Sequence, residues 1–342
     1  MRFNPPLSAI LLPALFLGNT ASAGDVTFTR SAPDLDRWNY PFNSSPGVRP
    51  TASTFGNEAG SVMFDNRDGQ MIVGWTTSGE IPAGNGADAY AVLSCTIELM
   101  VANDMAFLYD STLDPFTAFL PTNDSAYVAD ADAGQPIELY GTGFRNGFSL
   151  ANWQETSPYG TGSVLDPQIR NAFALGHTGK GKVTDVSNSV RERWTPTPFA
   201  IGVIEGGIDG DAVAMNTVMR FQLDLNRPAV AHYIAESLHE GRLLFSITSL
   251  TRTVQQGSNF PSFYCRENPL VAVDLASAAR IELHVGLNPA CVPEDLDCNG
   301  VVDAADLATL LSDWGSSGSA DFNGDGVIDA ADLSMLLNAW TS

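Results

Sequence analysis

Short runs of β-branched and aromatic residues recur along the first 287 positions, separated by turn-forming pairs. Met71-Ile-Val-Gly-Trp75, Ala91 to Val101, Pro198 to Ile204, Arg220 to Leu225, Arg242 to Leu250 and Arg280 to Val285 each read as a strand. Asp68-Gly69, Gly84-Asn85, Gly206-Gly207 and Asp209-Gly210 punctuate them. Many short strands between such turns predict a mainly β domain, a β-sandwich or jelly roll. One helix stands out, from Pro228 in its first turn through Leu238 to Gly241. Val230, Tyr233, Ile234 and Leu238 make its apolar stripe.

Beyond Pro289 the pattern changes from period two to helical spacing. Leu307, Leu310, Leu311 and Trp314, and again Leu333, Leu336, Leu337 and Trp340, recur at i, i+3, i+4 and i+7, which is one face of a helix. The two faces are expected to pack on each other, with Trp314 and Trp340 closing a small core. An acidic segment precedes each helix, Asp295-Leu-Asp-Cys-Asn-Gly-Val-Val-Asp-Ala-Ala-Asp306 and Asp321-Phe-Asn-Gly-Asp-Gly-Val-Ile-Asp-Ala-Ala-Asp332, at a constant offset of 26 residues. The chain therefore divides into a β-sandwich domain over 24–288, a linker over 289–294 and a small α-helical module over 295–342.

The repeat specifies a chemistry. Each copy places side-chain oxygens at positions 1, 3, 5, 9 and 12 of a loop, with glycine at position 6. Calcium takes six to eight hard oxygen ligands, and alternate residues of a tight loop all point inward. The first loop would offer Asp295, Asp297, Asn299, the Val301 carbonyl, Asp303 and Asp306. The second would offer Asp321, Asn323, Asp325, the Val327 carbonyl, Asp329 and Asp332. Gly300 and Gly326 permit the sharp turn. Two Ca2+ ions are expected, and the crowded carboxylates make folding of the module depend on them.

Composition narrows the partners. The 342 residues carry 17 Lys and Arg against 39 Asp and Glu, a formal charge of −22, and residues 291–342 hold ten acids and no Lys or Arg. Like charge argues against nucleic acid and anionic membrane surfaces. Arg2, the apolar run Leu7 to Leu17 and Ala21-Ser22-Ala23 together form an export-signal pattern over residues 1–23, with a mature chain expected to start at Gly24. That apolar run is too short to span a bilayer, and no later stretch is apolar enough. Secretion, to the cell surface or the surroundings, is the expected localisation. Four cysteines in an exported chain are expected to pair. Cys291 and Cys298, around a turn with Pro293, are the favoured disulfide, leaving Cys95 and Cys265; the sequence leaves the connectivity open.

The twin loop-helix repeat resembles a type I dockerin over residues 295–340. Each loop ends in Asp rather than Glu and lacks an entering helix, as in that family. The resemblance implies a cohesin-like receptor and an internal two-fold symmetry that permits two binding orientations. Family members often carry recognition hydroxyls just before the last ligand, where this chain has Ala304-Ala305 and Ala330-Ala331. These implied partner-binding positions point to a more apolar docking face. Phe64-Asp65-Asn66-Arg67, Ile81-Pro82-Ala83-Gly84, Gly241-Arg242-Leu243 and Phe263-Tyr264-Cys265-Arg266-Glu267 are similar to segments of the DNRLRE family of secreted β-sandwich domains. That weaker likeness, spread over residues 50–287, implies carbohydrate binding by analogy.

Trp38, Tyr40, Trp75, Trp153 and Trp194 are candidates for a sugar-stacking platform, with core packing as the alternative. Gly176 to Lys182 matches most of a phosphate loop, but Val183 replaces the Ser or Thr that holds magnesium. His177, His232, His239 and His284 have no zinc-site spacing, and no Gly-x-Ser-x-Gly elbow occurs. Glu98, Glu138, Glu155 and Asp185 are available to a glycosidase without any one being favoured. Asp130-Ala-Asp132 and Asp209-Gly-Asp211 read as acidic turns, with a structural calcium as the alternative. The leading expectation is a non-catalytic, calcium-binding docking protein whose β domain binds polysaccharide or serves in surface assembly. A polysaccharide-active hydrolase or lyase and a purely structural matrix protein are the alternatives.

Overall fold

A computed structural model of the chain describes residues 24–61, 64–160, 169–177, 183–253, 260–287, 292–297 and 301–341. The expected signal segment and the Cys291–Cys298 pair lie outside them. One sheet contains β1 (Asp25–Arg30), β13 (Arg280–Leu287), β5 (Tyr90–Met100) and β10 (Val218–Gln222), in that spatial order and all antiparallel. The second runs β2 (Leu35–Asn39), β4 (Gln70–Thr76), β11 (Arg242–Thr248), β6 (Glu138–Phe144), β7 (Ala172–His177) and β8 (Val183–Asp185), with β9 (Ala200–Ile201) also on β6. A short pair joins β3 (Thr51–Ser53) to β12 (Ser262–Tyr264).

The sheets face each other across one apolar core, which makes the domain a β-sandwich. Cys95, Ile97 and Leu99 of β5 and Ile281, Leu283 and Val285 of β13 point inward, opposite Met71, Val73 and Trp75 of β4 and Leu243, Phe245 and Ile247 of β11. Alternation is clear in β13, where Glu282 is exposed, because its other face meets water. In β4 it disappears: Ile72 packs on the far side with Leu35, Trp153, Ala172 and Leu244. Both faces of that strand are covered, so it reads as an unbroken apolar run.

Helix α1 (Pro228–His239) has Pro at its first turn and ends before Gly241 at φ 75°, and it buries Val230, Ile234 and Leu238 in the main core. A single turn, α2 (Pro269–Ala272), precedes β13, while α3 (Ala304–Ser312) and α4 (Ala330–Asn338) follow the acidic loops. No helix among the described residues is long and apolar enough to cross a membrane. Cys95 and Cys265 are buried, unbonded thiols, which corrects the expectation that they pair. Cys95 is packed in the sandwich core, where burial pushes its thiol up to about 12. It acts there as a small apolar side chain.

Candidate functional site

The second acidic loop shows how the chain builds its oxygen cage. Asp321 Oδ1 accepts the N–H groups of Gly324 (2.9 Å) and Asp325 (3.2 Å), and its Oδ2 accepts that of Gly326 (2.8 Å). Gly324 and Gly326 adopt φ of 71° and 94°, a region that favours glycine. Asn323 Oδ1 accepts from Asp325 N–H and Asp325 Oδ1 from Val327 N–H, so alternate side chains turn towards the loop interior. Asp332 is fully buried and closes the loop. Its Oδ1 accepts from Phe322 (2.8 Å) and Asn323 (3.2 Å), and its Oδ2 from Asp329 (2.9 Å). Asp329 in turn caps α4 through Ala331 N–H at 2.7 Å, completing a capping box.

The first loop repeats the bonds of the closing aspartate and of the helix cap at the same offset. Asp306, also fully buried, accepts from Leu296 (2.7 Å), Asp297 (3.2 Å) and Asp303 (2.8 Å), and Asp303 caps α3 through Ala305 N–H. Asp295, Asp297 and Asp306 bring carboxylate oxygens within 4.8 Å of one another, a spacing one central cation would span. Asn299 lies outside the described residues. Burial acts to raise the Asp306 carboxyl, but the N–H groups of Asp303, Asp297 and Leu296 outweigh it and hold it below the usual range. The N–H of Asp329, followed by those of Asn323 and Phe322, lowers Asp332 likewise. Both groups are therefore ionised and ready for a divalent ion. A carboxylate has about four lone-pair sites, so these hydrogen bonds leave capacity for a metal.

Behind the loops, Val302, Leu310, Ala320, Ile328 and Leu336 form the module's core. Trp314 and Trp340 do not close it: they are 46% and 39% exposed, because each lies past the C-terminal end of its helix. Leu311 and Leu337, at 51% and 52%, are symmetry mates and equally open. Ala304, Ala305, Ala330 and Ala331 are exposed in the first turns of α3 and α4. The chain after each helix bonds to position 8 of the other loop: Gly315 N–H to Ile328 O at 2.8 Å and Thr341 N–H to Val302 O at 3.0 Å. The sequence spacing contained no signal for this reciprocal clasp.

In the sandwich, the aromatic candidates separate. Trp75 and Trp153 are core residues, and Trp194 packs on Tyr140 while donating to Glu192. Trp38 and Tyr40 are partly open and stacked at 4.7 Å, with Phe42, half exposed, edge-on to Tyr40 at 5.5 Å. The carboxylate candidates also scatter. Glu138 is buried against Arg67 at 2.6 Å; Glu155 pairs with Arg266 and Asp185 with Arg145. Glu98 pairs with Arg220 at 2.7 Å and lines a groove of about 380 Å³ with Glu282, Arg30 and Arg280. Gly176 and His177 end β7, Val183 begins β8, and 178–182 lie outside the described residues.

Residues 293–340 match the model of the dockerin type I domain, a small part of the chain that includes both loops and both helices. No curated protein and no solved structure matches the chain.

Proposed function

We propose that this protein is an exported, calcium-dependent docking protein that carries a glycan-binding or assembly-forming β-sandwich at the cell surface or beyond it. In this reading residues 1–23 are removed on export, 24–288 are the cargo, 289–294 the linker and 295–342 the dockerin. Two Ca2+ ions sit in the loops of Asp295–Asp306 and Asp321–Asp332, and a cohesin-like receptor is the partner. The observation that carries this is the pair of symmetry-related loops with matching hydrogen bonds, each feeding a helix that keeps Leu311 or Leu337 exposed. Alanines at 304, 305, 330 and 331 leave the N-terminal turn of each helix apolar and without hydroxyls. Such a surface fits an apolar partner patch.

The test is binding of the full chain to immobilised cohesin modules, with calcium and with EDTA. Binding is expected in calcium alone. Leu311→Asp and Leu337→Asp together should weaken it at least tenfold, about 1.4 kcal/mol, whereas either alone should do less because the other orientation remains. Equal retention in EDTA defeats the reading. For the cargo, the open Trp38–Tyr40–Phe42 array supports polysaccharide binding, to be checked on a glycan array with Trp38→Ala as the control. The groove at Glu98 and Glu282 keeps a polysaccharide-active enzyme as the second reading. Release of reducing sugar by the full chain, lost in Glu98→Gln, would favour it.

A further inference from the structure

The β-sandwich contains a second concentration of acid that the docking module does not use. Asp110 and Asp114 lie at the two ends of one short turn, and Asp130 and Asp132 follow fifteen or more residues later. Each of the four offers a carboxylate oxygen within 4.8 Å of the other three. Asp110 is 2% exposed and Asp114 5%, while Asp130 and Asp132 face solvent. Asp110 Oδ1 accepts from the N–H (2.7 Å) and hydroxyl (3.0 Å) of Thr112, but Asp110 Oδ2 and Asp114 Oδ2 are buried without any hydrogen-bond partner. Buried, unpaired carboxylate oxygens are costly, and two facing further acids are costlier still. All the charges acting on Asp110 and Asp114 are negative.

The surroundings hold these acids in place rather than neutralise them. Asp209 accepts from the N–H and hydroxyl of Ser111, and Asp211 O accepts from Tyr109 N–H, so the Asp209-Gly210-Asp211 turn supports the site from behind. Gly134, at φ 115°, lets the second arm approach: a Cβ there would meet Tyr109 O at 2.8 Å and Asp110 Cβ at 3.0 Å. Thr112 Oγ1 also donates to Asp132 Oδ2 at 3.2 Å, linking the two arms.

We propose that Asp110, Asp114, Asp130 and Asp132 form a calcium site in the β-sandwich, separate from the C-terminal loops. The donors are all oxygen, as a hard cation requires, and opposed ligands of calcium at about 2.4 Å stand about 4.8 Å apart. The two buried acids anchor the ion, and the exposed pair leaves room for water to complete its shell. Asp114 and Asp130 bracket the excursion 115–129, which packs Phe119 and Leu120 on Val190 and Leu250. Phe119 and Tyr127 also line a cavity of about 530 Å³ with Arg252. The ion staples the base of this excursion and so fixes one wall of that cavity.

The test counts calcium bound by the full mature chain at equilibrium in millimolar CaCl2. Asp110→Asn/Asp114→Asn is expected to bind one ion fewer than the wild type, and Asp295→Ala/Asp321→Ala is expected to retain that ion. Asp132→Asn, at an exposed position where folding is not in question, should lower the affinity of the same ion at least tenfold. Chymotrypsin gives the structural readout: calcium should slow cleavage between Phe116 and Tyr127 at least tenfold in the wild type and not in the double variant. An unchanged ion count in Asp110→Asn/Asp114→Asn, an unchanged affinity in Asp132→Asn, or cleavage between Phe116 and Tyr127 that ignores calcium overturns the proposal.

Discussion

Arg67 and Arg170 sit 1% and 0% exposed, and each is held by carboxylates far away in the chain. Arg67 meets Glu138 through Nε at 2.6 Å and Nη2 at 2.8 Å, and Arg170 meets Asp65 through Nε at 2.9 Å. Asp68, 3.8 Å from Arg170, is the surplus acid of this cluster. Burial outweighs Arg170 and pushes Asp68 up to about 7. The sign follows directly. The folded state keeps this proton to about pH 7, whereas the unfolded chain releases it near pH 4, so folding binds protons between those values. Asp68 thus lowers stability as pH rises through that window, with a slope approaching 1.4 kcal/mol per pH unit. Asp68→Asn should remove this slope, measured as the variant's gain in urea midpoint over the wild type from pH 5 to pH 8. A difference that stays constant across those pH values would refute the assignment. The two acidic loops were legible at this scale because each is written in twelve consecutive residues. The Arg67–Glu138 and Arg170–Asp65 pairs were not, because no local spacing links residues so far apart.

Among the elements, β4, β5, β11, β13 and α1 stand where the apolar pattern puts them, since each carries an uninterrupted run or stripe. The Arg220–Leu225 strand is observed as Val218–Gln222: Leu223 N–H still reaches Cys95 O in register, but Asp224 N–H then turns away to Phe199 O. Strand β6 left no such signal: Gly141 and Gly143 interrupt it and read as turn residues. Both are there for space. A Cβ on Gly141 would meet the Tyr233 ring at 2.7 Å, and one on Gly143 would meet the Phe173 ring at 2.5 Å. Tyr233 has little freedom to retreat, because its hydroxyl accepts from Thr142 N–H at 2.8 Å and donates to Leu244 O. Gly141→Ala is therefore expected to destabilise the sandwich by about 1–3 kcal/mol, measured by urea unfolding. Gly79→Ala, where a Cβ meets nothing within 4 Å, is the control and should change little. The tryptophans of the C-terminal repeat misled in the opposite way: i+7 spacing put them on the helical face, but α3 and α4 stop before reaching them.

Charge decides how the molecule as a whole behaves. The protein carries −22, and ten of its acids lie in 291–342 without one Lys or Arg to offset them. Of the 17 Lys and Arg, 16 lie in the sandwich, which buries some of them in internal ion pairs. The tail has only a small core, Val302, Leu310, Ala320, Ile328 and Leu336, to set against the repulsion within its loops. In the proposed reading bound metal supplies the rest of its balance. Chelating calcium from the full chain is thus expected to melt α3 and α4 while leaving the sandwich folded. Far-UV circular dichroism at 222 nm should lose helical signal, and the near-UV signal of the buried Trp75 and Trp153 should persist. High salt in place of calcium should restore only a fraction of the helix, because screening weakens repulsion without supplying the directed oxygen contacts that close the loop. A helical signal indifferent to chelation would mean that the capping boxes and the small core hold the module unaided, and the docking role would then lose its calcium dependence.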